Sequence, residues 1–594
     1  MFKPKSEAIQ LGVDVVKIPC GNGTVFQQDS IVRFNLPRSL GFAQLSNAYI
    51  ECEILLEDPN LAVAANSAMP PCMLERESGS QSIINRLSIR SSGRLIEQLE
   101  GYNVMANLAY NATHTSGSMN KRSRLEGCAP SYMISDNPFY TTNKCVPPIT
   151  NAQRDVNGGM TAGILNSAQS LKAVRRKVCI PLNTGLFNSP HAFGLAMMPL
   201  EVELILEKSL RCMRICNVGD AQTSVAGITV GGGGLGNFAA KQFVVDDRRL
   251  WNGLGGNDPI PTTAVTPPIQ GQQQMNMLNN FPYRVGQVVS FTGAGTNAIL
   301  NATITQIGVA EAGARNAGKI VVMFAEDIVD GADAGGVAVM SPLNAAGTQI
   351  GGNPFTYRIF NPRMCIPKVI PPPATVNAMY NAMAKGAVSQ DIVTYTVYDN
   401  AIPSTQTTST NIISAELTRA KSILSVPISQ ASLDNINNSD ALCGQYLDAN
   451  EYYFQINNKL VPDRNVQLLR EATPARVALP ADEILRPYVL GTCPSGFHIF
   501  ELEKALRSGD IRVKNLNFVT QDANVAAFAA QEPGSWCVGR SLAANVGTSM
   551  NLTGKTCILY LNYRATSNMV KLLRNYVIHV RTIQFGNDGV QVFF

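Results

Sequence analysis

Leu200-Glu201-Val202-Glu203-Leu204-Ile205-Leu206-Glu207 decides the class of fold. Leu200, Val202, Leu204 and Leu206 alternate with Glu201, Glu203 and Glu207, a period of two that predicts a strand with one apolar and one wet face. The signature returns at Ile50, Cys52, Ile54 and Leu56 against Glu51 and Glu53. Working outward, β-branched and aromatic runs predict further strands over 31–36, 83–89, 393–398, 452–456, 511–518, 557–563 and 576–585. The last runs into Gly586-Asn587-Asp588-Gly589, whose residue types supply the positive-φ positions of a hairpin turn, so the chain is expected to end in a hairpin.

Helices are few. Val376, Met379, Tyr380 and Met383 fall at i, i+3, i+4 and i+7 behind Pro371-Pro372-Pro373, a short amphipathic helix after a rigid break and the best domain boundary. Residues 501–508, closed by Gly509, and 95–108, interrupted by Gly101, are two further candidates. Between about 271 and 352 the texture turns to Gly, Ala and Asn around strand-like 285–291, 302–307 and 320–324, which suggests a small β-barrel inserted into the first half. Many short strands without helical alternation argue for antiparallel sandwiches or jelly rolls rather than a parallel α/β enzyme.

Composition agrees. At about 150 residues per domain, 594 residues allow roughly four structural units. The 48 glycines and 33 prolines suit turns between strands. Charged residues are only 15%, so much of the surface is expected to be covered, and a net charge of +5 is too dilute to argue for nucleic-acid binding. Met1-Phe2-Lys3-Pro4-Lys5 leads into no apolar h-region, so a chain that starts inside a cell is expected. The 13 cysteines, an odd number, sit mostly among apolar neighbours, as Cys52, Cys179 and Cys557 do, and read as buried reduced thiols. The uncharged segment around Gly231 to Gly234 lacks the apolar density of a membrane span and reads as a loop. The sequons at Asn22 and Asn551 read as chance.

Catalytic and cofactor motifs are weak. Gly293-Ala294-Gly295-Thr296-Asn297-Ala298 matches a dinucleotide-loop pattern, but strand-like residues follow where a helix is required. Gly231 to Gly234 lacks the Gly-Lys-Ser/Thr ending of a phosphate loop. Cys212 and Cys216 offer two thiolates where a structural zinc needs four ligands, and His191 stands alone. His114, His191, His498 and His579 show no metal-binding spacing, and His579 is expected to face outward. No nucleophile elbow occurs. The basic runs Lys121-Arg122-Ser123-Arg124 and Arg175-Arg176-Lys177 lack interleaved aromatics and read as solvated loops or inter-subunit contacts. No catalytic, cofactor or metal site is expected.

Several segments, taken in order, resemble the double jelly-roll major capsid proteins of virophages and Polinton-like viruses, relatives of the adenovirus and tailless-phage capsid lineage. They are Val32-Arg33-Phe34-Asn35-Leu36-Pro37, Asn47-Ala48-Tyr49-Ile50-Glu51-Cys52-Glu53, Gly79-Ser80-Gln81-Ser82-Ile83-Ile84-Asn85-Arg86-Leu87-Ser88-Ile89 and Leu95-Ile96-Glu97-Gln98-Leu99-Glu100-Gly101-Tyr102-Asn103. Ile180-Pro181-Leu182 leading to Leu200-Glu201-Val202-Glu203-Leu204 is the most specific match. Pro371-Pro372-Pro373 resembles the linker between rolls, and Phe454 to Arg464 resembles a segment of the second roll in which Asn458 replaces the usual glycine.

The resemblance implies an all-β double jelly roll. Residues 1–372 would form the first eight-stranded antiparallel roll, with the insertion at about 271–352, and 373–594 the linker helix and the second roll. It implies a structural, non-enzymatic subunit that forms homotrimeric, pseudo-hexameric capsomers tiling an icosahedral virion around a DNA genome, assembled inside the host cell and not secreted. Partners would be further copies of itself, minor capsid and penton proteins, and an internal membrane or genomic DNA at the inner face, with no small-molecule substrate. Phe2, Lys3 and Lys5 would form an inward-pointing N-terminal arm. The rival reading, a carbohydrate-binding or carbohydrate-processing β-sandwich protein, would need tryptophan platforms, and only Trp251 and Trp536 are present.

Overall fold

The computed structural model describes residues 12–57, 72–75, 78–113, 122, 125–127, 175–189, 192–196, 198–215, 228–232, 242–245, 288–293, 302–309, 320–326, 337–341, 355–385, 388–403, 406–430, 433, 442, 444, 449–468, 496–513, 537–543, 548–563, 571–586 and 589–593. Up to Ile215 the strands are β1 (Gly12–Pro19), β2 (Val25–Gln27), β3 (Ile31–Leu36), β4 (Phe42–Ala43), β5 (Tyr49–Glu57), β6 (Cys72–Leu74), β7 (Ile84–Ser91), β8 (Arg94–Leu99), β9 (Arg176–Pro181), β10 (Phe193–Gly194), β11 (Leu200–Leu206) and β12 (Met213–Ile215). Six more, β13 (Ile228–Gly232), β14 (Gln242–Val245), β15 (Val288–Gly293), β16 (Ala302–Val309), β17 (Ile320–Phe324) and β18 (Val337–Ser341), close into a barrel. The long β19 (Thr356–Ile370) returns to the first sheet and is followed by a helix, Pro373–Ala384. The remaining strands are β20 (Val388–Ile402), β21 (Thr408–Ile413), β22 (Ala420–Ser429), β23 (Ala449–Ile456), β24 (Lys459–Gln467), β25 (Val538–Ser541), β26 (Cys557–Tyr563), β27 (Lys571–Gly586) and β28 (Gly589–Phe593).

The strand order is the same twice. In the first half one sheet runs β1–β19–β5–β9, with β2 on the β1 side of β19 and β4 and β10 on the β5 side, and the facing sheet runs β3–β11–β7–β8. In the second half the sheets run β20–β27–β22–β25 and β21–β26–β23–β24. With the eight principal strands of each half counted in chain order, both read first–eighth–third–sixth and second–seventh–fourth–fifth. Every pairing within them is antiparallel. This is the jelly-roll arrangement, in which two sheets bury their inner faces against each other. The period-two pattern produces it: on β5 each even-numbered residue from Ile50 to Leu56 is buried and each odd one is half-buried.

Several elements differ from expectation, each for a physical reason. Residues 95–108 are not one helix: β8 ends at Leu99, Gly101 turns the chain at φ 57°, and the helix is Tyr102–Thr113. Ser92 and Gly93, at φ 48° and 81°, close the β7–β8 hairpin in the left-handed region that the twist of paired strands favours. The glycine-rich stretch read as a loop contains β13, so the barrel begins at Ile228, well before residue 271. Residues 511–513 are not strand, and 514–518 lie outside the described residues. The helix Gly496–Ser508 ends in a Schellman motif whose left-handed residue is Asp510 (φ 60°) rather than Gly509, with Ile511 N–H donating to Leu506 O and Asp510 N–H to Arg507 O. Gly509 is needed for another reason: a Cβ there would lie 2.5 Å from Ile578 Cδ1.

Of the three glutamates expected on the wet face, Glu201 is half-buried and the other two are buried. Glu203 is 8% exposed and accepts from Arg33 Nε at 2.9 Å, and Glu207 is 4% exposed and accepts from Asn103 Nδ2 at 3.0 Å. His579 does not face outward. β27 is paired on both sides, every residue from Asn575 to Arg581 is buried, and the His579 ring sits among them with Nε2 3.0 Å from Thr396 Oγ1. β28 pairs with the end of β27, as the expected C-terminal hairpin requires.

Candidate functional site

Among the described residues no group of three or more His, Cys, Asp or Glu side chains is placed to hold a metal ion. Among the described residues, buried polar groups from distant parts of the chain converge at the seam between the two rolls. Two edge strands meet there, β8 of the first roll and β20 of the second. Edge strands left bare invite uncontrolled pairing, and each here is covered by the other roll.

Glu97 on β8 is fully buried. Its Oε1 accepts from Gly185 N–H at 2.8 Å and from the Thr394 hydroxyl of β20 at 2.7 Å, and its Oε2 accepts from Leu186 N–H at 3.2 Å. Burial pushes this carboxyl above the ordinary carboxylate range, opposed by those hydrogen bonds and by the nearby Arg581 guanidinium. Arg581, on β27, donates from Nη1 to Ile96 O at 2.9 Å. Desolvation outweighs the attraction of Glu97 and holds Arg581 below its ordinary value.

Tyr576 crosses the seam as well. Its hydroxyl donates to Gly101 O at 3.0 Å, and its ring meets Tyr395 edge-on at 5.3 Å. Ile392, Tyr395, Leu424, Tyr576 and Ile578 of the second roll belong to the same buried apolar cluster as the first roll's core. Two glycines permit the approach. A Cβ on Gly185 would lie 2.4 Å from Val393 O, and one on Gly101 would lie 2.6 Å from Arg574 Nη1. Gln390 Nε2 donates to Ser189 Oγ at 2.7 Å, Asn107 Nδ2 to Leu442 O at 3.2 Å and Arg211 Nε to Leu433 O at 3.1 Å. Buried hydrogen bonds of this kind favour one geometry, because losing them leaves donors or a carboxyl unpaired away from water. Its chemistry is positional: Glu97 is sealed from solvent and faces only donors.

Tyr102, at the start of the helix beside the seam, donates to Gln81 Oε1 at 2.9 Å, and Gln81 Nε2 donates to Pro181 O at 2.6 Å and Glu126 Oε2 at 3.2 Å. Glu126 pairs with Arg122 at 3.0 Å, and the Arg122 guanidinium lies 3.5 Å from the Tyr110 ring centroid. Arg122 is therefore buried and structural, not part of a solvated run. Lys121, Ser123 and Arg124 lie outside the described residues. Arg175 stacks 3.7 Å over the Phe360 ring, and Arg176 and Lys177 belong to β9.

The expected arm residues Phe2, Lys3 and Lys5 lie outside the described residues, as do Cys216, His114, His191, Trp251 and Trp536. Cys20, Cys52, Cys179, Cys212, Cys365, Cys537 and Cys557 are free thiols, with Cys20 and Cys179 only half-buried. Gly293 ends β15 opposite Ala338 of β18, and β15 also pairs antiparallel with β16. The Asn22 sequon is occupied structurally, since its Nδ2 donates to Ile31 O at 2.7 Å. Sequence reasoning missed Glu97, Gly185, Thr394 and Arg581. Glu97 stands opposite Ile89, a pairing that only the sheet register reveals.

No family model matches the chain, and no curated protein matches it. Among solved structures it is similar to the Sputnik virophage structure determined by cryo-EM, with a TM-score of 0.47 and 10% identity over 100% of this chain and 90% of that chain. It is similar to the Faustovirus major capsid protein, with a TM-score of 0.45 and 9% identity over 99% of this chain and 92% of that one. It is also similar to the PBCV-1 virus capsid, with a TM-score of 0.44 and 7% identity over 100% and 99%.

Proposed function

We propose that this chain is a viral major capsid protein whose work is self-association. The observation that carries the reading is the duplicated strand order: one chain holds two jelly rolls, locked by the Glu97–Thr394 seam into a single rigid block. Three such blocks around an axis present six similar rolls, the outline of a hexagonal tile, which a lattice of identical tiles requires. The low charged fraction of 15% suits a surface that neighbours cover, since interface cores are depleted in charge.

On this reading the trimeric capsomer tiles an icosahedral shell around DNA, assembled in the host cell with minor capsid and penton proteins. The rolls divide at the linker helix into residues 1–372 and 373–594, and the barrel spanning Ile228 to Ser341 is an appendage of the first. Phe2, Lys3 and Lys5 form an arm that reaches inward to a minor capsid protein, an internal membrane or the genome. Negative-stain electron microscopy of the purified protein tests the reading: hexagonal particles or closed shells are expected, and isolated single-chain particles at all concentrations would overturn it.

A further inference from the structure

The two rolls share one strand order but not one set of connections. In the second roll the seventh and eighth strands, β26 and β27, are joined through residues 564–570. In the first roll the same step, from β11 to β19, passes through β12 and the six strands of the barrel. The second roll completes the plan with no barrel, so the strand order itself does not call for one.

The barrel is built on itself. Among the described residues β13 to β18 pair only with one another, and the ring closes where Ile228 of the first strand stands opposite Met340 of the last. The chain thus enters and leaves the barrel side by side, the arrangement in which an inserted domain leaves its host undisturbed. The host keeps its own order at that point: Ile215 stands opposite Cys72 and Thr356 opposite Glu57, and Glu57 and Cys72 end and begin the consecutive strands β5 and β6. The barrel also has its own interior. Val289, Ala302, Ile304, Val322 and Phe324 are buried, Ile304 stands opposite Phe324, and none of these side chains belongs to either apolar cluster of the rolls. Thr303 N–H donates to Glu326 Oε2 at 2.6 Å and Ala325 N–H to Thr303 O at 3.0 Å, both within the barrel. β19 starts at Thr356, on the barrel side, and runs 15 residues to Ile370, where the linker helix follows. At about 3.3 Å per residue, roughly 50 Å of strand separates the two. Contacts between rolls, such as Glu97 with Thr394, lie along the strands, whereas the barrel leaves from their ends.

We infer that the barrel is an autonomous module: it folds and unfolds independently of the rolls, and self-association of the chain does not use it. The second statement rests on the self-association reading above, and the first does not.

Calorimetry of the full-length chain tests the first statement. Two transitions are expected, since units that share no core melt apart, and the barrel, with the smaller core, melts first. Ile304→Ala with Val322→Ala hollows the barrel and should lower the first transition by at least about 10 °C while leaving the second within about 1 °C. Thr394→Val, at the seam, should lower only the second. A single transition that both variants lower would overturn the autonomy. Light scattering on the Ile304→Ala, Val322→Ala chain, held between its two transitions, tests the second statement, and three times 63.9 kDa is expected. A mass of 63.9 kDa there, with the unsubstituted chain trimeric at the same temperature, would overturn it. An unsubstituted chain that is monomeric at every temperature would overturn the second statement together with the reading beneath it, and leave the first standing.

Discussion

The Glu97 carboxylate of β8 accepts a 2.7 Å hydrogen bond from the Thr394 hydroxyl of β20, so the two rolls are joined through a group that water does not reach. Thr394→Val keeps the shape and removes the donor. It is expected to lower stability by about 1–3 kcal/mol, the range for a hydrogen bond to a buried, charge-bearing acceptor. Urea denaturation checks this. A midpoint equal to that of the unsubstituted protein would mean that Glu97 is satisfied without the second roll.

Gly185→Ala and Gly101→Ala probe the same seam sterically. The Gly185 Cβ would meet the Val393 carbonyl at 2.4 Å, a backbone atom that cannot turn aside, whereas the Gly101 Cβ would meet the Arg574 and Tyr576 side chains and also carries a φ of 57°. Overpacking costs typically about 1–3 kcal/mol, and the left-handed backbone adds about 1–2 kcal/mol at position 101. Both variants are expected to melt below the unsubstituted protein in differential scanning calorimetry. If Gly185→Ala melted at the same temperature, the rolls would not be packed this closely.

Acid should weaken the fold before carboxylates titrate. Burial, with Arg581 as the second cause at His579, holds both His498 and His579 down to about 3, against an ordinary value of 6.5. The folded protein therefore binds fewer protons than the unfolded chain, and the stability that neutral histidine contributes is full above about pH 6.5 and declines as the pH falls towards 3. Each histidine contributes a slope of up to about 1.4 kcal/mol per pH unit. Glu97 acts with the opposite sign: its raised value means the folded state gains relative to the unfolded as the pH falls through the carboxylate range. Urea midpoints measured between about pH 7.5 and 5 should fall, and His579→Phe should reduce the slope. An unchanged slope in the variant would place His579 in water.

The strands that stand alone in the sequence are the ones it discloses. Ile31–Leu36, Ile320–Phe324 and Cys557–Tyr563 occur in the structure with the predicted bounds, because a short run of β-branched and aromatic residues is a local signal. β8 is ambiguous locally, since Leu95, Ile96 and Leu99 also fit a helical face, and only pairing with β7 settles it. β13 is hidden by its glycines, and its strand character comes from β14 and β18 on either side. The seam was illegible for a simpler reason: Glu97 and Thr394 are 297 residues apart, and nothing near either one announces the other. His579 looked like one of an alternating set, but a strand buried on both faces has no outward side.

Asn457 and Asn458 turn the β23–β24 hairpin with both residues in the left-handed region, at φ 48° and 63°. Asparagine tolerates that region better than other side chains, and glycine better still. Asn458→Gly is expected to be neutral or to stabilise slightly, while Asn458→Val should cost about 1–2 kcal/mol. Thermal melts of the two variants decide it, and equal melting temperatures would mean that the turn is not strained by a Cβ branch.

The most direct test of the capsid reading is the mass of the purified chain in solution, measured by light scattering across a dilution series. A species at three times 63.9 kDa that persists on dilution is the result the account predicts. A single species at 63.9 kDa at every concentration would contradict it.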